Sequence, residues 1–147
     1  MNELDDELYE RIKQLCADGD IAAKRGEFVA AIEQYEAAWD LLPDPKTQWD
    51  AARWILAAIG DARYLSGEFE QGREALLTAM HCPDAIGNPF LHLRLGQCQF
   101  ELGFEVIAAD ELSRAFLLAG EQLFLHEDPK YLALVKSVLD EPPGGWD

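Results

Sequence analysis

Gly19-Asp20-Ile21-Ala22-Ala23-Lys24-Arg25-Gly26-Glu27-Phe28 leads on to Tyr35 and Ala38, and the chain repeats this arrangement twice more. Gly60-Asp61-Ala62-Arg63-Tyr64-Leu65-Ser66-Gly67-Glu68-Phe69 leads to Leu76 and Ala79, and Gly96-Gln97-Cys98-Gln99-Phe100-Glu101-Leu102-Gly103-Phe104-Glu105 to Leu112 and Ala115. In each copy the second glycine follows the first by 7 residues, a large apolar residue follows by 9 more, and an alanine by 3 more. One such match is cheap, whereas three in register within 147 residues decide the architecture.

The spacing describes two packed helices and a short turn. A small residue on the first helix lets a second helix approach closely, and a glycine in the left-handed conformation ends that first helix. After the turn, Phe28, Ile32, Tyr35 and Ala38 recur at three to four residues, the stripe of an amphipathic helix. Phe69, Leu76 and Ala79 do the same in the second copy, and Ile107, Leu112 and Ala115 in the third.

These residues resemble the tetratricopeptide repeat, a helix-turn-helix unit of about 34 residues, over residues 12–122. The first copy is the most typical, with Gly26-Glu27-Phe28, Ala31-Ile32, Tyr35, Ala38 and a closing Pro43. Gly72 departs from the alanine the family prefers, and Glu105 from an aromatic. The excess length between the first two copies falls at Leu42-Pro43-Asp44-Pro45-Lys46 and in a longer helix through Trp49 and Trp54. The resemblance implies an all-α, right-handed array of three hairpins plus a capping helix. Helices are expected at about 4–25, 28–41, 47–66, 69–81, 89–102, 105–119 and 129–140, with repeats at about 12–45, 53–86 and 89–122. Asp128-Pro129 opens the last helix as N-cap and first helical residue, with Leu132, Val135 and Leu139 as its apolar face. That helix has the place of the polar-faced cap a terminal repeat needs. Residues 1–141 form one domain in this reading, and 142–147 a mobile tail from which Trp146 can dock back.

Composition narrows the function. Apolar residues make up 49% of the chain and aromatics 10%, enough to bury a core. No apolar run approaches the ~18 residues of a membrane helix, and the acidic N-terminus is unlike a secretion signal, so a cytoplasmic, membrane-free protein is expected. The 28 acidic residues against 12 basic ones leave a formal charge of −16, which repels nucleic acid and favours a partner with a basic surface.

Nothing points to chemistry. Cys16, Cys82 and Cys98 have no CxxC spacing, and His81-Cys82 with His92 and Cys98 fits no metal-ligand pattern. Ser66, Ser113, Ser137, Thr47 and Thr78 stand in no nucleophile elbow, and there is no glycine-rich phosphate loop. Paired acids such as Asp110-Glu111 read as solvated helix faces, and His81, His92 and His126 as helix-end or packed residues. The expectation is therefore no enzyme, no cofactor and no metal.

What remains is surface. In the resembled family the first helix of each pair lines a concave groove that binds peptides or proteins. By repeat register, that groove is lined by Lys13, Cys16, Asp20 and Lys24, then by Trp54, Ala57, Asp61 and Tyr64, then by Phe90, Leu93, Gln97 and Glu101. Trp49, Arg53 and Arg94 complete the expected partner-binding set. Some members of the family clamp a terminal carboxylate with lysine and asparagine; Cys16 and Asp20 take those places here and only Arg94 remains of the basic set, so no such clamp is expected. Residues 49–61, 85–96 and 145–147 also resemble small bacterial repeat proteins that act as immunity proteins, which implies a partner in a cytosolic toxin domain. The type III translocator chaperones are similar in size, charge and repeat number, which implies instead a client segment held in the groove. A general adaptor with several partners is a third reading, and the oligomeric state is open.

Overall fold

The computed structural model describes residues 4–146. Among them lie seven α-helices: α1 (Asp6–Lys24), α2 (Phe28–Leu41), α3 (Asp50–Leu65), α4 (Phe69–Ala79), α5 (Pro89–Glu101), α6 (Glu105–Ala119) and α7 (Pro129–Val138). Two short 3₁₀ turns, Lys46–Gln48 and Glu121–Phe124, precede α3 and α7, and no strand occurs among the described residues. α1 pairs with α2, α3 with α4 and α5 with α6, and α7 closes the array against α6. The three hairpins and closing helix expected from the sequence are therefore the fold.

The repeated spacing has a direct physical cause. A Cβ placed on Gly19 would come 2.5 Å from the Tyr35 ring, one on Gly60 would come 2.5 Å from Leu76 Cγ, and one on Gly96 would come 2.7 Å from Leu112 Cγ. Each glycine is thus the hole that admits the large residue of the partner helix. Tyr35, Leu76 and Leu112 are buried there, as are Ala38, Ala79 and Ala115 one turn on. The second glycines, Gly26, Gly67 and Gly103, have φ of +75°, +82° and +92°. At each, two backbone bonds close the helix, as in Gly26 N–H to Ala23 O at 3.0 Å and Glu27 N–H to Ala22 O at 2.9 Å. This is the Schellman arrangement, and it recurs at Gly67-Glu68 and Gly103-Phe104. The next residue starts the second helix with nearly one backbone geometry each time, φ/ψ of −89°/69° at Glu27, −92°/68° at Glu68 and −91°/66° at Phe104.

Gly72 has its own reason. A Cβ there would approach Cys98 Sγ to 3.0 Å and Arg63 Cβ to 3.3 Å, so the fully buried Cys98 on α5 occupies the room an alanine would take. α5 is the most enclosed element, with every residue from Leu91 to Gln99 buried. Asn88 caps it by accepting from the N–H groups of Phe90 and Leu91 at 3.0 and 3.2 Å, with Pro89 at the first position. Asp128 and Pro129 start α7 as expected, with Lys130 N–H donating to Asp128 at 3.0 Å.

Two expectations are corrected. The excess length between the first two repeats lies in the helices rather than in the connection at residues 42–46, α2 and α3 having 14 and 16 residues against 11 and 13 for α4 and α5, and α3 begins at Asp50, so Trp49 caps it from outside instead of standing within it. Lys46 holds this connection by donating to the carbonyls of Trp39 and Leu42 at 3.1 and 2.7 Å, a cation satisfying the end of α2. On α7 the buried pair is Tyr131 and Val135, one turn apart, while Leu132 is only half-buried. Beyond α7 the chain returns so that Trp146 meets Phe116 edge-on at 5.9 Å, with Lys136 over its ring at 5.6 Å. Trp146 is therefore docked; Asp147 lies outside the described residues, as do Met1–Glu3.

Gly60→Ala tests the close approach. Alanine gains about 1 kcal/mol of helix propensity over glycine, but the clash with Leu76 is of the kind that costs about 1–3 kcal/mol. Urea unfolding should show a net loss of about 1–2 kcal/mol, and the same substitution made in a Leu76→Ala background should cost less or nothing, because the clashing side chain is gone. Equal or greater stability of Gly60→Ala would refute this account of the spacing.

Candidate functional site

The inner face of the array divides into a closed part and an open part. The closed part is organised by Arg94 on α5. Its Nε donates to Asp61 at 2.7 Å, and its Nη1 donates to Gln97 at 2.7 Å and to Glu127 at 2.6 Å. Gln97 donates to the same Glu127 oxygen at 2.7 Å. The guanidinium lies between two rings, with its centre 4.9 Å from the Tyr64 centroid and 5.0 Å from that of Phe90. Burial works to lower the Arg94 pKa, but Asp61 and Glu127 outweigh it and the net direction is upward.

α7 adds the second half. Tyr64 donates to the Tyr131 hydroxyl at 2.8 Å, Tyr131 donates to Glu101 at 2.7 Å, and Lys130 pairs with the same Glu101 oxygen at 2.7 Å. Burial first, then the bonds to Tyr64 and Glu101, push the Tyr131 hydroxyl far upward. Beside this network, His92 Nε2 accepts from the Gly87 N–H at 3.1 Å while Nδ1 meets Glu111 at 2.6 Å. That pairing assigns the ring proton to Nδ1 and ties the α4–α5 loop to α6.

The expected groove is corrected accordingly. Cys16, Leu93, Arg94 and Gln97 are buried, whereas Asp61, Tyr64, Phe90 and Glu101 stay half-buried, engaged with Arg94, Lys130 and Tyr131. The reason is burial on two sides of α5, which turns Leu93, Arg94 and Gln97 into core while the positions on α3 and at the ends of α5 keep part of their surface. Asp20 stays exposed and accepts from Tyr35 at 2.6 Å, steadying the ring that fills the space over Gly19. Lys24 is exposed in the last turn of α1, and Lys13 is exposed beside Glu10 with its Nζ 5.2 Å from the Tyr9 ring.

The open part is a cleft of about 850 Å³ between the start of α1, the connection into α3 and the α4–α5 loop. Leu4, Tyr9, Trp49, Trp54 and Pro83 supply its apolar surface, and Asp6, Asp50 and Asp84 its charge. Tyr9 stands edge-on to Trp54 with centroids 6.4 Å apart. Trp49 is anchored by its indole N–H, which donates to Pro43 O at 2.8 Å. Arg53 braces the opposite wall, donating to Pro83 O at 2.7 Å and approaching Asp84 at 3.9 Å. The structure thus brings together Trp49, Arg53 and Trp54 of the expected set. Sequence reasoning missed Tyr9, Asp6, Asp50 and Asp84 here, and Glu127, Lys130 and Tyr131 in the closed part. The i, i+4 spacing of Tyr131 and Val135 was the signal available for α7. Among the described residues no three metal-ligating side chains converge, and no helix is long and apolar enough to cross a membrane.

No protein-family model matches the sequence, and no curated protein matches it. Solved structures do. SycD, the type III secretion chaperone of Yersinia enterocolitica, solved in complex with a peptide of the translocator YopD, superposes with a TM-score of 0.68 at 17% identity, over 92% of this chain and 95% of that one. PcrH from Pseudomonas aeruginosa gives 0.68 at 20% identity over 92% and 95%, and PcrH has also been solved with the chaperone-binding region of PopB. The first tetratricopeptide domain of human RPAP3 gives 0.65 at 17% identity over 88% and 98%. The fold is therefore tetratricopeptide-like along nearly the whole chain.

Two measurements check this geometry. Arg94→Met leaves Asp61 and Glu127 without their cation; because Asp61 keeps 31% side-chain exposure, the loss should be about 2–3 kcal/mol, below the ~3–5 of a fully buried pair. Arg94→Lys should not restore it, since lysine lacks the planar fork. Burial pushes the Cys16 and Cys98 thiols from 9.0 up to about 11 and about 12, and Tyr35, Tyr64 and Tyr131 also shift upward, with burial the largest cause in each. A group with a raised folded pKa contributes fully below its unfolded value and loses that contribution as pH climbs through the folded one. The urea midpoint should hold from neutral pH to near 9.0 and then fall as pH rises towards about 12.

Proposed function

We propose that this chain is a protein-binding module that holds a polypeptide segment of a partner against the N-terminal cleft, and that its acidic surface selects a partner with basic character. The observation that carries this is the cleft itself: three partly exposed aromatic side chains, Tyr9 and Trp54 braced edge-on against each other and Trp49 by its bond to Pro43, beside three carboxylates. Rigid aromatics supply desolvated anchors at little entropic cost, and rim charges speed encounter and set orientation. A formal charge of −16 extends the same preference over the whole surface.

Similar folds that hold a translocator peptide or a chaperone-binding region favour a chaperone-like role over occlusion of a folded toxin domain. Those chains match over nearly their full length, and both solved complexes involve a segment of a partner. Because Tyr131 and Lys130 of α7 already engage Tyr64 and Glu101, the segment lies in this reading towards the α1 end of the array, where the cleft is open.

The test compares partner capture from native extract by the wild-type chain and by Trp54→Ala, followed by titration of the captured partner. Circular dichroism should show unchanged helicity, and affinity should fall at least about tenfold, the loss of one aromatic anchor of roughly 2 kcal/mol. Unchanged affinity would remove the cleft from the account. Recovery of a folded, inactive toxin domain would replace segment holding with occlusion.

A further inference from the structure

We propose that the N-terminal cleft seats an arginine side chain of the bound segment, its guanidinium stacked on the indoles of Trp49 and Trp54 and its charge met by Asp50 and Asp84. This rests on the protein-binding reading above and names what the site selects. The argument begins with the chain's own arginine. Inside the fold, Arg94 lies between the Tyr64 and Phe90 rings and is held by the carboxylates of Asp61 and Glu127. The cleft holds parts of the same kinds, with Tyr9, Trp49 and Trp54 as rings and Asp6, Asp50 and Asp84 as carboxylates, and Arg53 at its wall as the basic side chain bonded to the lining.

The distribution of cations over the four tryptophans points the same way. Lys46 stands over Trp39 at 5.8 Å and Lys136 over Trp146 at 5.6 Å. Among the described residues no lysine or arginine stands over Trp49 or Trp54, the two that line the cleft. Arg53, the nearest guanidinium, is turned to the Pro83 carbonyl and reaches Asp84 only at 3.9 Å, leaving that carboxylate 91% exposed. Asp6 and Asp50 stand in the first turns of α1 and α3, so both helices present a carboxylate at the rim. A planar guanidinium can stack on an indole and fork to a carboxylate at once, which the compact ammonium of lysine cannot. At about 850 Å³ the cleft has room for the arginine and for the backbone on either side of it.

The tryptophan indole N–H signals read this directly. The probes are acetyl-Gly-Arg-Gly-amide, its lysine analogue and its neutral citrulline analogue, titrated into the full chain. The arginine probe should move the Trp49 and Trp54 signals and leave Trp39 and Trp146 in place. The citrulline probe should bind at least about fivefold more weakly, since a charged group is exchanged for a neutral isostere. Asp50→Asn and Asp84→Asn should each weaken the arginine probe about threefold, while Glu70→Gln, the same loss of charge on the exposed side of α4, should not. Equal binding of citrulline, shifts spread over all four indoles, or no shift would overturn the inference, and equal binding of lysine would overturn the choice of arginine. Each of those failures leaves partner capture and its loss in Trp54→Ala standing, whereas failure of capture alone would remove the protein-binding reading.

Discussion

Close approach of two helices through a missing side chain is the constraint on which the rest of this structure depends. Gly19, Gly60 and Gly96 each remove the atom that would strike Tyr35, Leu76 or Leu112 on the partner helix. A helical glycine sacrifices up to about 1 kcal/mol of helix propensity, whereas burying a leucine stabilises by about 1.5–3 kcal/mol. Packing therefore wins at these positions, and it wins three times at one spacing. The turn glycines follow from the same geometry, because the second helix must reverse within a few residues to reach the hole left by the first.

Stacking the hairpins sets up the second level. Each first helix has a second helix over it and neighbours beside it, and α5, covered also towards α7, becomes the axis of the molecule. That enclosure decides what its polar residues do. Arg94, Gln97 and His92 are internal struts: Arg94 and Gln97 join α3 and α5 to Glu127 in the segment that precedes α7, and His92 joins the α4–α5 loop to α6. Buried charge is stabilising only when it is fully met, and Asp61, Glu127 and two aromatic rings meet it here.

The open cleft lies towards the other end of the array. α7 packs on α6 and reaches Tyr64 and Glu101 through Tyr131 and Lys130, while near α1 the connection after α2 brings Trp49 and Trp54 towards Tyr9. Lys46 and Trp49 fix the connection through backbone carbonyls of α2 and of Pro43, so the cleft wall is braced without a regular element.

The sequence by itself determined the helices, their pairing and their turns, because these depend on contacts between residues 16 apart or closer and on backbone conformations that only glycine adopts freely. It also placed Trp49, Arg53 and Trp54 on one surface, and they stand together at the cleft. Only the tertiary structure decided which inner-face residues are groove and which are core. Asp61, Tyr64, Arg94 and Glu101 have the polar or amphipathic character of a binding surface, and helical periodicity places them on the inner side. Whether they meet a partner depends on Glu127, Lys130 and Tyr131, which lie about 30 to 67 residues away along the chain. The same holds for the cleft, where Asp6, Tyr9, Asp50 and Asp84 converge from three separate segments. Helical periodicity assigns a face, but what covers that face is set by packing between distant elements.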